Sequence, residues 1–253
     1  VQDALSVDLY VQIKEWLLNN DPDAHRMLAW ASTVTAPTTP EALAGEIVWV
    51  QLCAGRSTQA ARTIERKVRR ALDAGEPVVE VFGYRAKAAA IEQVWRERSM
   101  NFAAMRAALD SGSPQAIIDW CASLPFIGDD TKYQLAKNCG VRSVCKPDIW
   151  MCRLAGLADR PRRPLRERFA RCQAMAQQLA AGTGDSVAVV DSLLWQAANK
   201  GLFEVTFDPH RFRFHARAPR GRSIFAAAGE VLPPPIPTPG TNLDTGPARE
   251  SLS

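Results

Sequence analysis

Apolar positions along this 253-residue chain recur three and four residues apart far more often than they alternate, which predicts helices almost throughout. Leu9, Ile13, Trp16 and Leu17 share one helical face after Asp8. Thr39-Pro40-Glu41 reads as a helix start, a capping hydroxyl with proline in the first turn, and leads into Ile47-Val48-Trp49-Val50-Gln51-Leu52. Ser57 can cap the next helix, where Ala60, Ala61, Ile64, Val68 and Leu72 form a stripe. Residues 77–82 could form a short strand, although an extended link suits them better. Helical spacing resumes over 87–95, 102–109 and 114–124, the last opened by Ser113-Pro114. Residues 165–179 are amphipathic and arginine-rich, and 187–198 are apolar enough for a core helix. Phe203, Val205 and Phe207 alternate as in a strand or a capping segment.

Composition adds little: 47% hydrophobic and 23% charged residues are ordinary for a globular chain. No apolar run approaches the ~20 residues that span a bilayer. The first residues lack a basic-then-apolar signal. A soluble protein of the cytoplasm, without a membrane partner and monomeric, is expected. The proline-dense stretch from Leu232 cannot build a core and reads as a disordered tail. The expected organisation is a helical domain over 1–207, a basic capping segment over 208–231 and the tail over 232–253.

The net charge of +4 is small but unevenly placed. Arg160, Arg162, Arg163, Arg166, Arg168 and Arg171 crowd one segment; His210, Arg211, Arg213, His215, Arg217, Arg220 and Arg222 crowd another. These are either phosphate-neutralising patches or solvated basic faces. The six cysteines contain no C-x-x-C pair, and His25, His210 and His215 are scattered. Reduced, buried thiols are expected, with no metal site and no cofactor.

The densest chemistry lies mid-chain. Leu124-Pro125-Phe126-Ile127-Gly128 reads as a hairpin between two short helices, with Asp129 or Asp130 placed to cap the second. A side-chain-free corner lets backbone approach a phosphate, and a helix N-terminus favours an anion there. Lys146-Pro147-Asp148 follows, with Pro147 suited to the first turn of a helix over 148–157 and Asp148 held at its start. The bland readings are a glycine-cornered helical turn and a simple helix cap.

Hairpin, helix and aspartate in this order resemble the helix-hairpin-helix superfamily with a glycine/proline-rich loop and aspartate, whose familiar members are base-excision DNA glycosylases. The resemblance implies a two-lobed, all-α DNA-glycosylase-like fold and double-stranded DNA as partner. It implies Asp148 as the catalytic carboxylate and Phe126, Ile127, Gly128, Asp130, Thr131 and Lys132 as the strand-binding hairpin. Around the base or leaving group it suggests Arg56, Ser57 and Gln59 from an earlier polar turn, with Lys146, Trp150 and Arg153. Ser57 is equally readable as a plain N-cap and Gln59 as a surface residue.

Three departures narrow the comparison. Phe126 stands where the pattern has glycine, Asp130 where strand-cleaving members carry a lysine, and Trp150 where histidine is frequent. The clustered iron–sulfur cysteines are also missing. The chain is more similar to a divergent phage branch that includes the amino-acid:DNA transferases of thymidine hypermodification. In those, an amino-acid amine replaces the phosphate of phosphorylated 5-hydroxymethyluracil, protecting DNA from restriction, so a free amino acid becomes an expected co-substrate. A monofunctional glycosylase and a non-catalytic DNA-binding protein are the alternatives.

Overall fold

The computed structural model describes residues 5–157, 163–207 and 210–216. Arg160, Arg162, Arg217, Arg220, Arg222 and the expected tail lie outside the described residues. Eleven helices and one hairpin are present among the described residues: α1 (Val7–Asn20), α2 (Pro22–Thr33), α3 (Pro40–Cys53), α4 (Thr58–Ala74), α5 (Arg85–Arg96), α6 (Arg98–Asp110), α7 (Pro114–Ser123), α8 (Thr131–Asn138), α9 (Ile149–Leu154), α10 (Leu165–Thr183), α11 (Val187–Asn199), then β1 (Phe203–Phe207) and β2 (His210–Phe214). Their starts follow local chemistry. Ser6, Asp21, Thr39, Ser57 and Ser186 each accept a first-turn N–H through the side chain.

The helices form two lobes with separate apolar interiors. One is built from α3 to α8 around residues such as Leu43, Ile47, Leu52, Ile91, Met105 and Leu135. The other joins the two ends of the described chain: α1 and α2 pack with α9, α10 and α11 around Tyr10, Ile13, Leu17, Met151 and Leu193. The stretch 77–82 is neither strand nor extended link. Val78–Glu80 form a 3-10 turn, because Val78 and Phe82, four residues apart, are both buried.

The alternation at Phe203, Val205 and Phe207 does produce a strand. It pairs antiparallel with β2, Phe203 opposite Phe214 and Phe207 opposite His210. Phe214 packs edge-on to Trp16 of α1 at 6.0 Å, so the hairpin closes on the terminal lobe. The expected boundary at 207/208 falls between the two paired strands.

Among the polar links between the lobes, one group is buried. Lys137 of α8 forms an ion pair with Asp191 of α11, both nearly inaccessible. The same Asp191 oxygen accepts the backbone N–H of Lys146 at 3.0 Å. One carboxylate thereby fixes the second hairpin helix to the loop before Asp148. Tyr133 of α8 also stacks flat on Phe169 of α10, 4.4 Å between centroids. Breaking a buried pair by deleting one partner leaves an uncompensated charge, at a cost of roughly 3–5 kcal/mol. Asp191→Ala is therefore expected to lose about that much stability in urea denaturation. The apolar pair Lys137→Met with Asp191→Leu should recover most of it.

Candidate functional site

The hairpin connects α7 to α8, and its side chains divide sharply. Ile127 turns inward and is 7% exposed, and its N–H donates to Leu124 O at 3.3 Å. It anchors the turn. Phe126 turns outward, 40% exposed, and it alone among described non-glycine residues has a positive φ, 57°. A left-handed conformation costs a residue with a Cβ roughly 1–2 kcal/mol, so the strained position of this turn is Phe126, not Gly128.

Gly128 has no such constraint. Its N–H donates to Thr131 Oγ1 at 2.8 Å, and a Cβ added there would meet only that oxygen, at 3.9 Å. The fold itself leaves room for a side chain at this exposed corner. Lys132, on the next turn, is half-buried with its Nζ 5.4 Å from the Tyr133 ring centroid.

Asp130 occupies the cap position of α8 but makes no capping bond with its side chain, contrary to the sequence reading. Its carboxylate is drawn away by Arg168 of α10, whose guanidinium donates to Asp130 Oδ1 at 2.8 Å and to Pro147 O at 3.2 Å. Arg168 therefore leaves the basic face inferred from sequence and becomes a buried strut between the hairpin and the Asp148 loop. Arg166 and Arg171 stay exposed.

Asp148 is the N-cap of α9, a residue later than expected, so Pro147 precedes the helix instead of opening it. Its Oδ1 accepts the N–H groups of Trp150 and Met151 at 2.9 and 3.1 Å. Oδ2 faces Lys146 Nζ at 3.9 Å. The loop is pinned further by Gln173 of α10, which accepts from Cys145 N and donates to Ser143 O at 2.9 and 2.7 Å. The sequence implied that the helix dipole would favour the charged carboxylate. Burial prevails: it raises the Asp148 pKa above the ordinary value, opposed by Lys146 and reinforced by Asp191. The result is a fixed, nearly buried carboxylate with one oxygen uncommitted to backbone and a flexible cation beside it.

The remaining expected residues fall into two groups. Lys146 and Trp150 flank Asp148, and Arg153 lies over the Trp150 ring at 5.0 Å. Arg56 belongs elsewhere: its guanidinium covers Phe82 at 5.1 Å. Ser57 caps α4 by accepting from Ala60 N, the plain reading. Gln59 is half-exposed on the first turn. The lobes do approach here, since Lys146 acts electrostatically on Cys53 at the end of α3.

Several residues beside the hairpin were not anticipated. The Gln51 side chain, buried in α3, donates to Pro125 O at 2.7 Å, and its Oε1 has no partner. Lys87, 6% exposed, donates to Gln51 O at 2.9 Å. Burial and then Arg56 push the Lys87 pKa below the ordinary lysine value. The only hint in sequence was one polar residue inside each of two apolar helical faces.

With this geometry in view, one solved structure is similar over most of its length: the 8-oxoguanine DNA glycosylase of Thermotoga maritima. The match has a TM-score of 0.57 at 16% identity and covers 74% of this chain and 94% of that one. The fold is that of a helical DNA glycosylase. No family model and no curated protein sequence matches the chain. At this identity the likeness carries architecture alone.

Within that fold, no group of three or more metal-binding side chains occurs among the described residues. All six cysteines are free, five of them buried. No described helix is long and apolar enough to cross a membrane. Two surface cavities, one along Glu65, Arg66, Arg69 and Arg70 and one at Ser32, Arg142 and Ser186, are not lined by Asp148.

Since the fold does not demand glycine at 128, Gly128→Ala should keep wild-type thermal stability. If the corner admits a phosphate, the same variant loses DNA affinity by tenfold or more, on the order of one charge-assisted hydrogen bond. Calorimetry with a binding titration reads both.

Proposed function

We propose that this chain is a DNA-modifying enzyme acting on a nucleotide turned out of the duplex, with the hairpin holding the strand and Asp148 serving the reaction. The observation that carries this reading is the Arg168 strut, which ties Asp130 of the hairpin to Pro147 beside Asp148. A strand held at Gly128 is thereby held at a set distance from a single carboxylate. A binding module has no use for a buried carboxylate tethered next to its phosphate clamp. Extrusion of the base suits chemistry that a stacked base would hide.

Two reactions fit a carboxylate that stabilises positive charge at carbon, and Lys146 favours one. A cation 3.9 Å from Asp148 Oδ2 opposes a sugar oxocarbenium ion but suits an anionic leaving group. The finer proposal is therefore amino-acid transfer to phosphorylated 5-hydroxymethyluracil. The amine nitrogen bonds to the exocyclic methylene, the C–O bond to phosphate breaks, and inorganic phosphate leaves toward Lys146. Asp148 accepts the proton shed by the new ammonium, a task suited to a carboxylate of raised pKa. With Asp130 committed to Arg168, lysine-based strand cleavage has no group at that position. The second reading is a monofunctional glycosylase, in which the bond from C1′ to the base breaks and water attacks C1′. The fold likeness favours it.

Mass spectrometry of nucleosides from treated DNA separates them: a heavier amino-acid adduct of thymidine marks the transferase, while free base with an abasic site marks the glycosylase. Asp148→Asn should abolish either product without weakening DNA binding. Persistent turnover by that variant overturns the assignment.

The pH dependence has a definite sign. Asp148 acts ionised, and its pKa is raised, so activity should fall with decreasing pH at a point above the ordinary carboxylate range. Lys146→Gln removes the charge that opposes this shift and should move the limb to higher pH still. Stability runs the other way. Below the unfolded pKa both states are protonated and stability is full. It is lost as pH rises from there through the raised folded value, because the unfolded chain ionises first and the buried group only at a cost. Asparagine can cap equally well, so Asp148→Asn should be at least as stable as wild type at neutral pH.

A further inference from the structure

Beside the hairpin, Tyr84 and Phe126 stand exposed at 51% and 40%, their rings edge-to-face with centroids 5.9 Å apart. Neither is required where it stands by the packing of the core. Tyr84 sits at the start of α5 without a capping bond, and Phe126 holds a strained backbone while leaving its side chain largely in solvent. Strained residues held by the surrounding structure cluster at sites that meet a ligand. Lys87 Nζ lies 6.0 Å from the Tyr84 centroid and 5.8 Å from that of Phe126. Lys87 is buried and lies against both rings; because these stand at 86° to one another, a base can lie flat on one of them with the other against its edge. The carbonyl of Pro125, next to Phe126, is held by Gln51 at 2.7 Å.

We infer that the Tyr84–Phe126 pair is a stacking platform for one unstacked nucleobase of DNA held at the hairpin. The inference rests on the DNA-binding reading above and extends it from phosphates to a base. Three features single out this occupant. The pair is continuous with the Gly128 corner, one residue removed from it in sequence by Ile127. Lys87 lies against both rings and Arg56 acts on it electrostatically, so basic side chains back the patch. Aromatic faces accept any base, and loss of one such contact weakens binding about 5- to 150-fold.

The test uses the full chain with oligonucleotides carrying 2-aminopurine at successive positions, free in solution and bound. In wild type, one position should change emission on binding. Phe126→Gly relieves the backbone strain, so it should fold with equal or higher melting temperature. Tyr84→Ala changes an exposed side chain. Each should abolish the emission change and weaken affinity about 5- to 150-fold. Neither should alter the slope of affinity against salt, because stacking releases no counterions. Wild-type affinity and emission in both variants overturn the platform, and if Gly128→Ala still weakens binding then DNA recognition at the hairpin stands without it. A changed salt slope in either variant overturns stacking as the mode of contact. Failure of the wild-type chain to bind any oligonucleotide removes both readings. Concentration-dependent dimers abolished by Phe126→Gly would assign the pair to self-association and overturn the inference.

Discussion

A single buried carboxylate, Asp191, holds the two lobes in register. It lies on the most apolar helix of the terminal lobe, yet it neutralises Lys137 from the other lobe and accepts the Lys146 amide. Placing two charges in a dry interior is costly, and a hydrophobic pair of similar volume is often as stable. What the ionic arrangement adds is direction. An apolar contact tolerates sliding, whereas this carboxylate sets where the hairpin helix and the loop before Asp148 meet. Arg168 repeats the principle a few residues away with Asp130 and Pro147.

These struts explain how a short loop keeps a carboxylate in a low-polarity position. At Asp148 the first-turn amides of a six-residue helix are outweighed by burial. Its two backbone bonds orient it, and its surroundings leave the proton affinity high. Orientation and proton affinity share neighbours: the Met151 amide holds the carboxylate and lowers its pKa, and Asp191 fixes the loop and raises it. Lys146 changes the second with little effect on the first, while Gln173 and Asp191 govern the loop itself.

Most of the architecture was legible in the sequence because it is written locally. Caps at Thr39 and Ser57, the stripes of α3 and α4, and the turn at Leu124–Gly128 depend on residues a few positions apart. Misreadings occurred where a distant partner decided. Asp130 looked like a helix cap, and nothing nearby in sequence announced that Arg168 would claim it. Arg168 itself looked like one of several surface arginines. Residues 77–82 resembled an extended link because burial of Val78 and Phe82 from one turn is a tertiary fact. Asp191 and Lys87 were visible only as polar interruptions of apolar faces, a signal that does not name its partner. The role of Asp148 was inferred from a motif, and its raised proton affinity came from burial that no motif encodes.

The terminal lobe is assembled from the two ends of the described chain, α1 and α2 packing with α10 and α11 across the whole length of the intervening lobe. Such distant pairings must wait for synthesis to reach α11, whereas the α3–α8 lobe is complete by residue 144. A nascent chain can therefore fold its α3–α8 lobe first. The loop bearing Asp148 gains its supports only when Gln173 and Asp191 emerge. The support of Asp148 is thus completed after the lobe that carries the hairpin.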